Sequence, residues 1–178
     1  MKPIGEMSIK ELAAFVSEHL RRHGIDVVLS GGACVTIYSD GKYTSLDLDF
    51  IDNRAPSRKV LKKVLEEIGF QEENRYFKHP ETLFFLEFPA GPLAVGREPV
   101  KEVIFLEVST GRLKIISPTE CVKDRLAAYY HWQDRQSLEQ AIMVAQANEV
   151  DLHEIERWSR AEGKLTEFRK IKGLLLGK

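Results

Sequence analysis

The sequence predicts an α/β (α+β) protein: a short mixed β-sheet flanked by helices, with a C-terminal helical part. Three observations predict it. Short apolar runs bounded by glycine, proline and aspartate turn signals read as strands up to Ile116. Amphipathic stretches lie between them, and from Ser117 onward the periodicity is helical throughout. Residues 1–116 are therefore read as the core and 117–178 as a helical region packed on it as one unit.

The elements follow in order. Ser8 and Glu11 form a capping-box pattern, and Ile9, Leu12, Ala13, Val16 and Leu20 give the helix one apolar face before Gly24 stops it. The basic group Arg21, Arg22 and His23 at its end suits the macrodipole. Ile25–Leu29 reads as a short buried strand, Ser30-Gly31-Gly32 as a break, Ala33–Tyr38 as a short helix and Ser39-Asp40-Gly41 as a turn. The next strand carries Asp47 and Asp49. Leu46, Leu48 and Phe50 share one face, which leaves both aspartates on the other.

Ser57–Ile68 is an amphipathic helix with Val60, Leu61, Val64, Leu65 and Ile68 inward, and Arg58, Lys59, Lys62 and Lys63 as a solvated basic face. Tyr76–Lys78 and Leu83–Phe88 read as a hairpin around His79-Pro80-Glu81. Pro89–Pro99 is a loop by composition, either a plain surface connection or a carrier of Arg97 towards a substrate. Val103–Val108 and Leu113–Ile116 make a further hairpin. Ser117 caps a helix with Pro118 at its first position, running to about Trp132. On it Val122, Leu126, Tyr129 and Trp132 form an apolar face, and Lys123, Tyr130 and Asp134 align on another. Tyr129 and Trp132 suit a helical core better than base stacking. Asp151 caps another helix, and the tail Lys164–Lys178 is left to dock on the domain, on a second subunit or on a partner.

The chemistry concentrates between Leu29 and Ile51. Two carboxylates on one face of a short strand repel each other, and a divalent cation with a preference for hard oxygen ligands, such as Mg²⁺, removes that repulsion. Gly31 and Gly32 let backbone N–H groups approach an anion at the start of the following helix, which suits phosphate. Phosphate beside paired carboxylates suggests phosphoryl or nucleotidyl transfer.

This arrangement resembles the polymerase-beta-type nucleotidyltransferase superfamily, whose pattern is a strand ending in Gly-Gly or Gly-Ser, a short helix, then Asp-x-Asp. The likeness is nearest to the small prokaryotic abortive-infection and toxin–antitoxin members. It implies a nucleotidyltransferase-like sheet and a Mg²⁺ (or Mn²⁺) site in which Asp47 and Asp49 are joined by a third acid from a later strand. Glu87 is the first choice for that acid and Glu107 competes with it. Gly32 stands where many members carry serine, so Ser30 is the substitute hydroxyl. Ser30, Gly31 and Gly32 would hold the β- and γ-phosphates, with Lys123 first and Arg125 second as the neutralising cation. The implied reaction moves an NMP from an NTP to a hydroxyl of an RNA end, a protein or a small molecule. It fits a toxin paired with a cognate antitoxin. The alternative is a non-catalytic module, an antitoxin or regulatory partner, that keeps the fold.

Bulk properties narrow the field. The 178 residues are 43% hydrophobic and 30% charged, ordinary for a globular protein. Twenty-six Lys+Arg against 27 Asp+Glu argue against a broad nucleic-acid footprint. The sequence has no membrane-spanning run and no signal pattern at Met1–Ser8, which points to the cytoplasm. Cys34 and Cys121 read as buried thiols, and none of His19, His23, His79, His131 and His153 is assigned to a metal.

Overall fold

The computed structural model describes residues 2–54 and 56–178. The first helix, α1 (Ile9–Arg22), opens with the expected capping box: the Ser8 side chain accepts from Glu11 N, and Glu11 accepts from Ser8 N. Strand β1 (Val28–Ser30), helix α2 (Gly32–Tyr38) and strand β2 (Asp47–Ile51) follow. Helix α3 (Arg58–Glu66) buries Leu61, Val64 and Leu65, while Val60, expected inside, is 47% exposed. Two of its basic side chains are paired: Arg58 with Glu72 at 2.7 Å, and Lys62 with Glu72 at 3.8 Å.

The sheet continues with β3 (Gln71–Glu73), β4 (Tyr76–Lys78) and β5 (Phe85–Glu87). Its other end is the hairpin β8 (Val103–Val108) and β9 (Gly111–Ile116). Seven strands run in the order β3-β4-β5-β2-β1-β9-β8. The sheet is mixed: β2 pairs parallel with β5 and β1 parallel with β9, while the other ladders are antiparallel. The polar strand β3 escapes a hydrophobic reading because Gln71, Glu72 and Glu73 pair at an edge, where packing does not select side chains.

The Pro/Gly-rich stretch is not wholly loop. It holds a small separate hairpin, β6 (Ala94–Val95) with β7 (Glu98–Pro99). Val95 is buried and its carbonyl accepts from Trp158 Nε1 at 3.3 Å.

The helical part comprises α4 (Pro118–Trp132), α5 (Arg135–Ala147), α6 (Leu152–Ala161) and α7 (Leu165–Leu175). Helix α4 stops because Gln133 takes the left-handed conformation (φ 53°) and Asp134 becomes the N-cap of α5. That removes Asp134 from the α4 face it was expected to share. Tyr130, not Tyr129 or Trp132, enters the core, where it stacks on Trp158 with centroids 5.9 Å apart; Trp132 is 81% exposed. The tail docks on the domain, with Phe168, Ile171 and Leu175 of α7 buried and Gln146 Nε2 donating to Leu174 O. One hydrophobic cluster runs from Met7 to Leu175 through both parts of the chain.

Asn148, at the end of α5, reaches back to α2. Its Nδ2 donates to Tyr38 O at 2.8 Å and to Val144 O at 2.9 Å, while Tyr38 Oη donates to Ile116 O at 2.6 Å. Short α2 is thus held from two sides. Cys34 and Cys121 are free and fully buried, with burial pushing both thiols up.

Candidate active site

Strand register builds the site. Asp49 of β2 lies opposite Ser30 of β1 on one side and opposite Glu87 of β5 on the other, and Asp47 sits two residues away on the same face. The carboxylates of Asp47, Asp49 and Glu87 converge, with ligand oxygens all within 4.8 Å of one another. Glu107 does not compete. It lies on edge strand β8, is 70% exposed and is paired with Arg112.

The middle acid, Asp49, is short of compensation. Burial first, then repulsion from Asp47 and Glu87, pushes the Asp49 carboxyl up to about 7 against the pull of Arg125. Three oxygen donors in this state suit a divalent ion such as Mg²⁺ or Mn²⁺.

Gly31 is required where it stands. It has φ 71° and ψ −153°, a conformation essentially confined to glycine. A Cβ there would collide with the Asp49 carboxylate, lying 3.2 Å even from its Cγ. Gly32 is the first residue of α2, so N–H groups of that turn lack intrahelical partners beside the acids. The Ser30 hydroxyl instead donates to Asp49 O at 3.4 Å within the sheet.

The hydroxyl that sequence reading missed belongs to Ser45. Its Oγ lies 3.1 Å from where a Gly32 Cβ would sit, and it donates to Asp47 Oδ1 and, at 3.3 Å, to Asp47 O. Ser45 is itself buried and held through its backbone N by Thr36 Oγ1 at 2.9 Å. No local pattern marks it, because its role depends on the space left beside Gly32.

Of the two cations, Arg125 pulls on the Asp49 carboxyl through space while paired with Asp124, and Lys123 is turned to Glu120 and Glu154. Lys123 is wholly buried between α4 and α6, its Nζ 3.0 Å from Glu120 and 3.2 Å from Glu154. Arg125 projects from another side of α4, is gripped by Asp124 and Gln140, and lowers the Asp49 carboxyl. A second cation, Arg75, escaped notice. It precedes β4, whose Tyr76 opposes Glu87, and its Nε stands 3.3 Å from the Glu87 carboxylate. No sequence pattern marks it, because the β4–β5 register alone brings it there. Arg97 is exposed at the turn of the β6–β7 hairpin, its backbone N donating to Glu162.

No known family matches the chain by sequence, and no curated protein does. Among solved structures it is similar to an antigenic nucleotidyltransferase-like protein from Paracoccidioides brasiliensis, with TM-score 0.69 and 15% identity over 99% of this chain and 96% of that one. It is also similar to the antibiotic-resistance factor ANT(2'')-Ia. The solution structure gives TM-score 0.51 and 11% identity over 95% of each chain. The crystal structure with adenylyl-2''-tobramycin gives 0.51 and 14% over 86% of this chain and 95% of that one. The chain has the nucleotidyltransferase-like fold that its Gly31-Gly32 and Asp47-Leu48-Asp49 stretches resemble.

Proposed function

We propose that the protein is a divalent-metal-dependent nucleotidyltransferase that moves an NMP from an NTP to an acceptor hydroxyl. The observation that carries this reading is the convergence of Asp47, Asp49 and Glu87 on one point, with Asp49 pushed up to about 7. Carboxylates that repel each other in a folded protein are costly unless a cation joins them.

Asp47, Asp49 and Glu87 would hold Mg²⁺ or Mn²⁺, which when bound neutralises charge on the attacking and leaving oxygens. Backbone N–H groups at Gly31 and Gly32 take the β- and γ-phosphates, and Arg125 adds positive charge on the same side. Glu87 accepts the proton of the acceptor hydroxyl as its oxygen bonds to the α-phosphorus. The bond to the bridging oxygen breaks, and pyrophosphate leaves with that electron pair. Ser45 fixes the rotamer of Asp47 throughout.

A small-molecule hydroxyl is the preferred acceptor. ANT(2'')-Ia, of the same fold, was crystallised with adenylyl-2''-tobramycin. An RNA end or a protein hydroxyl, the acceptors of a toxin with a cognate antitoxin, would call on the same acids.

One observation favours the second reading, a non-catalytic binding module: Arg75 already pairs with Glu87. Calorimetry with each NTP, with and without Mg²⁺, separates the two. Mg²⁺-dependent binding lost in Asp47→Ala/Asp49→Ala, followed by release of pyrophosphate with an acceptor, supports the enzyme. A wild type that binds neither metal nor NTP overturns it.

A further inference from the structure

A second group of metal-ligating side chains lies away from the acids, where α1 and α3 end together. His19 and His23 stand one turn apart at the end of α1, and Glu67 is the C-cap residue of α3. Sequence reading gave no histidine a metal role because the third ligand is more than forty residues away. Ligand atoms of the three lie within 4.8 Å of one another.

One carboxylate oxygen joins both rings: Glu67 Oε2 is 3.0 Å from His23 Nε2 and 3.7 Å from His19 Nε2. Tetrahedral Zn²⁺, with bonds of roughly 2.0–2.2 Å, holds its ligand atoms about 3.3 Å apart. The observed separations bracket that spacing. The rings are tilted by 51° with centroids 4.6 Å apart, so their nitrogens point to a shared space.

The hydrogen bonds set the tautomer. His23 Nδ1 lies 3.0 Å from His19 O, and a carbonyl only accepts, so Nδ1 carries the proton there. Nε2 is then left facing a carboxylate at 3.0 Å, lone pair against lone pair. That contact is repulsive unless positive charge lies between the two atoms. A backbone carbonyl fixing the far nitrogen is also how metal-ligating histidines are commonly oriented. By the same reasoning His19 Nε2, 2.9 Å from Val64 O, donates its proton to that carbonyl in the metal-free protein, so a bound ion would replace this proton as well and would gain Val64 O as a further oxygen ligand.

The helices reinforce the demand for a cation. Both α1 and α3 direct their C-terminal carbonyls and the negative ends of their dipoles here. Side-chain exposures of 17% for His19, 35% for His23 and 45% for Glu67 leave the group open to solvent.

We propose that His19, His23 and Glu67 form a transition-metal site, best suited to Zn²⁺, that staples the end of α1 to the end of α3. Imidazole nitrogens separate this site chemically from the all-oxygen group of Asp47, Asp49 and Glu87, which favours Mg²⁺ or Mn²⁺.

The test is a calorimetric titration of the full chain with Zn²⁺ in the presence of excess Mg²⁺. Thermal unfolding and nitrogen-15 spectra of the histidine rings accompany it. Saturable binding of a single Zn²⁺, a raised unfolding temperature and shifts confined to the His19 and His23 rings are expected. His23→Gln and Glu67→Gln should each abolish all three responses while keeping the metal-free unfolding temperature within a few degrees of wild type. Absence of Zn²⁺ binding in the wild type overturns the site, leaving a proton between His23 and Glu67. Binding that survives His23→Gln, or is lost only in Asp47→Ala/Asp49→Ala, overturns it in favour of the acids. The ring spectra of the wild type decide the matter even where a variant fails to fold.

Discussion

Two groups of charged side chains, one enclosed between α4 and α6 and one half-buried on the sheet, are treated in opposite ways. Between α4 and α6, Lys123 is enclosed by Glu120 and Glu154, and Glu154 is met again by Lys101 at 3.0 Å and Arg157 at 2.7 Å. These cations, Arg157 foremost, hold the Glu154 carboxyl well below the usual carboxylate range. Around Asp49, by contrast, Asp47, Glu87 and Asp124 all push its carboxyl upward, and Arg125 is the chief charge opposing them. The α4–α6 group supplies its own counter-charges and leaves one buried oxygen, Glu120 Oε2, without a hydrogen-bond partner among the described residues. The acid group has fewer counter-charges, Arg75 at Glu87 and Arg125 pulling on Asp49, and under the proposed function a divalent ion would supply the rest.

The contrast can be broken most sharply by kinetics. Under the proposed function, Asp47→Ala/Asp49→Ala should lower the rate of nucleotidyl transfer by about 10⁴-fold, some 5 kcal/mol of barrier. Lys123→Met should leave Mg²⁺-dependent NTP binding intact. It should cost about 3 kcal/mol in a urea unfolding experiment, because Glu120 loses the ammonium that faces it in the interior. A loss of NTP binding in Lys123→Met at unchanged stability would erase the distinction between the two groups.

Asp49→Asn should move stability the other way. Its folded-state carboxyl is raised from 3.8 to about 7, so the folded state holds a proton that the unfolded state has lost across that interval. Stability of the metal-free protein therefore falls as pH rises from 3.8 to about 7, and the full penalty is present above 7. At pH 8, Asp49→Asn should stabilise the metal-free protein by about 1–2 kcal/mol, a value discounted for partial solvent screening. Mg²⁺ should raise the wild-type unfolding temperature more at pH 8 than at pH 5, and a flat response would sink this account. The smallest effect is expected of Ser45→Ala, about tenfold weaker Mg²⁺-dependent NTP binding, since the serine orients a ligand and does not replace one.

What could be read from the sequence was local. The Ser8/Glu11 capping box, the Gly31-Gly32 break and the two aspartates on one face of β2 are each contained in a few consecutive residues, and each stands as expected. Glu87 stood out because a lone acid in an apolar strand needs a partner, and the β2–β5 register brings it opposite Asp49. Lys123 and Arg125 could not be ranked this way. Two residues along a helix turn the side chain by about 200°, so one of them must face the wrong way, and α4 buries side chains on more than one side. Arg75 and Ser45 depend on register and on the space beside Gly32. Glu67 depends on where α3 ends relative to α1. None of these three is a local property.

Asn148 gives the architecture a genetic consequence. The short helix that starts at Gly32 is fastened by a side chain 110 residues further along, from the far end of α5. The stretch that carries the acids and the glycines is therefore not a cassette. Recombination that exchanged the chain after Ile116 for another helical half would discard the amide that holds Tyr38, and the new half would have to bring an equivalent donor to the same carbonyl. Because the acceptor is a backbone carbonyl, that contact constrains the residue at 148 and leaves the side chain at 38 free to change.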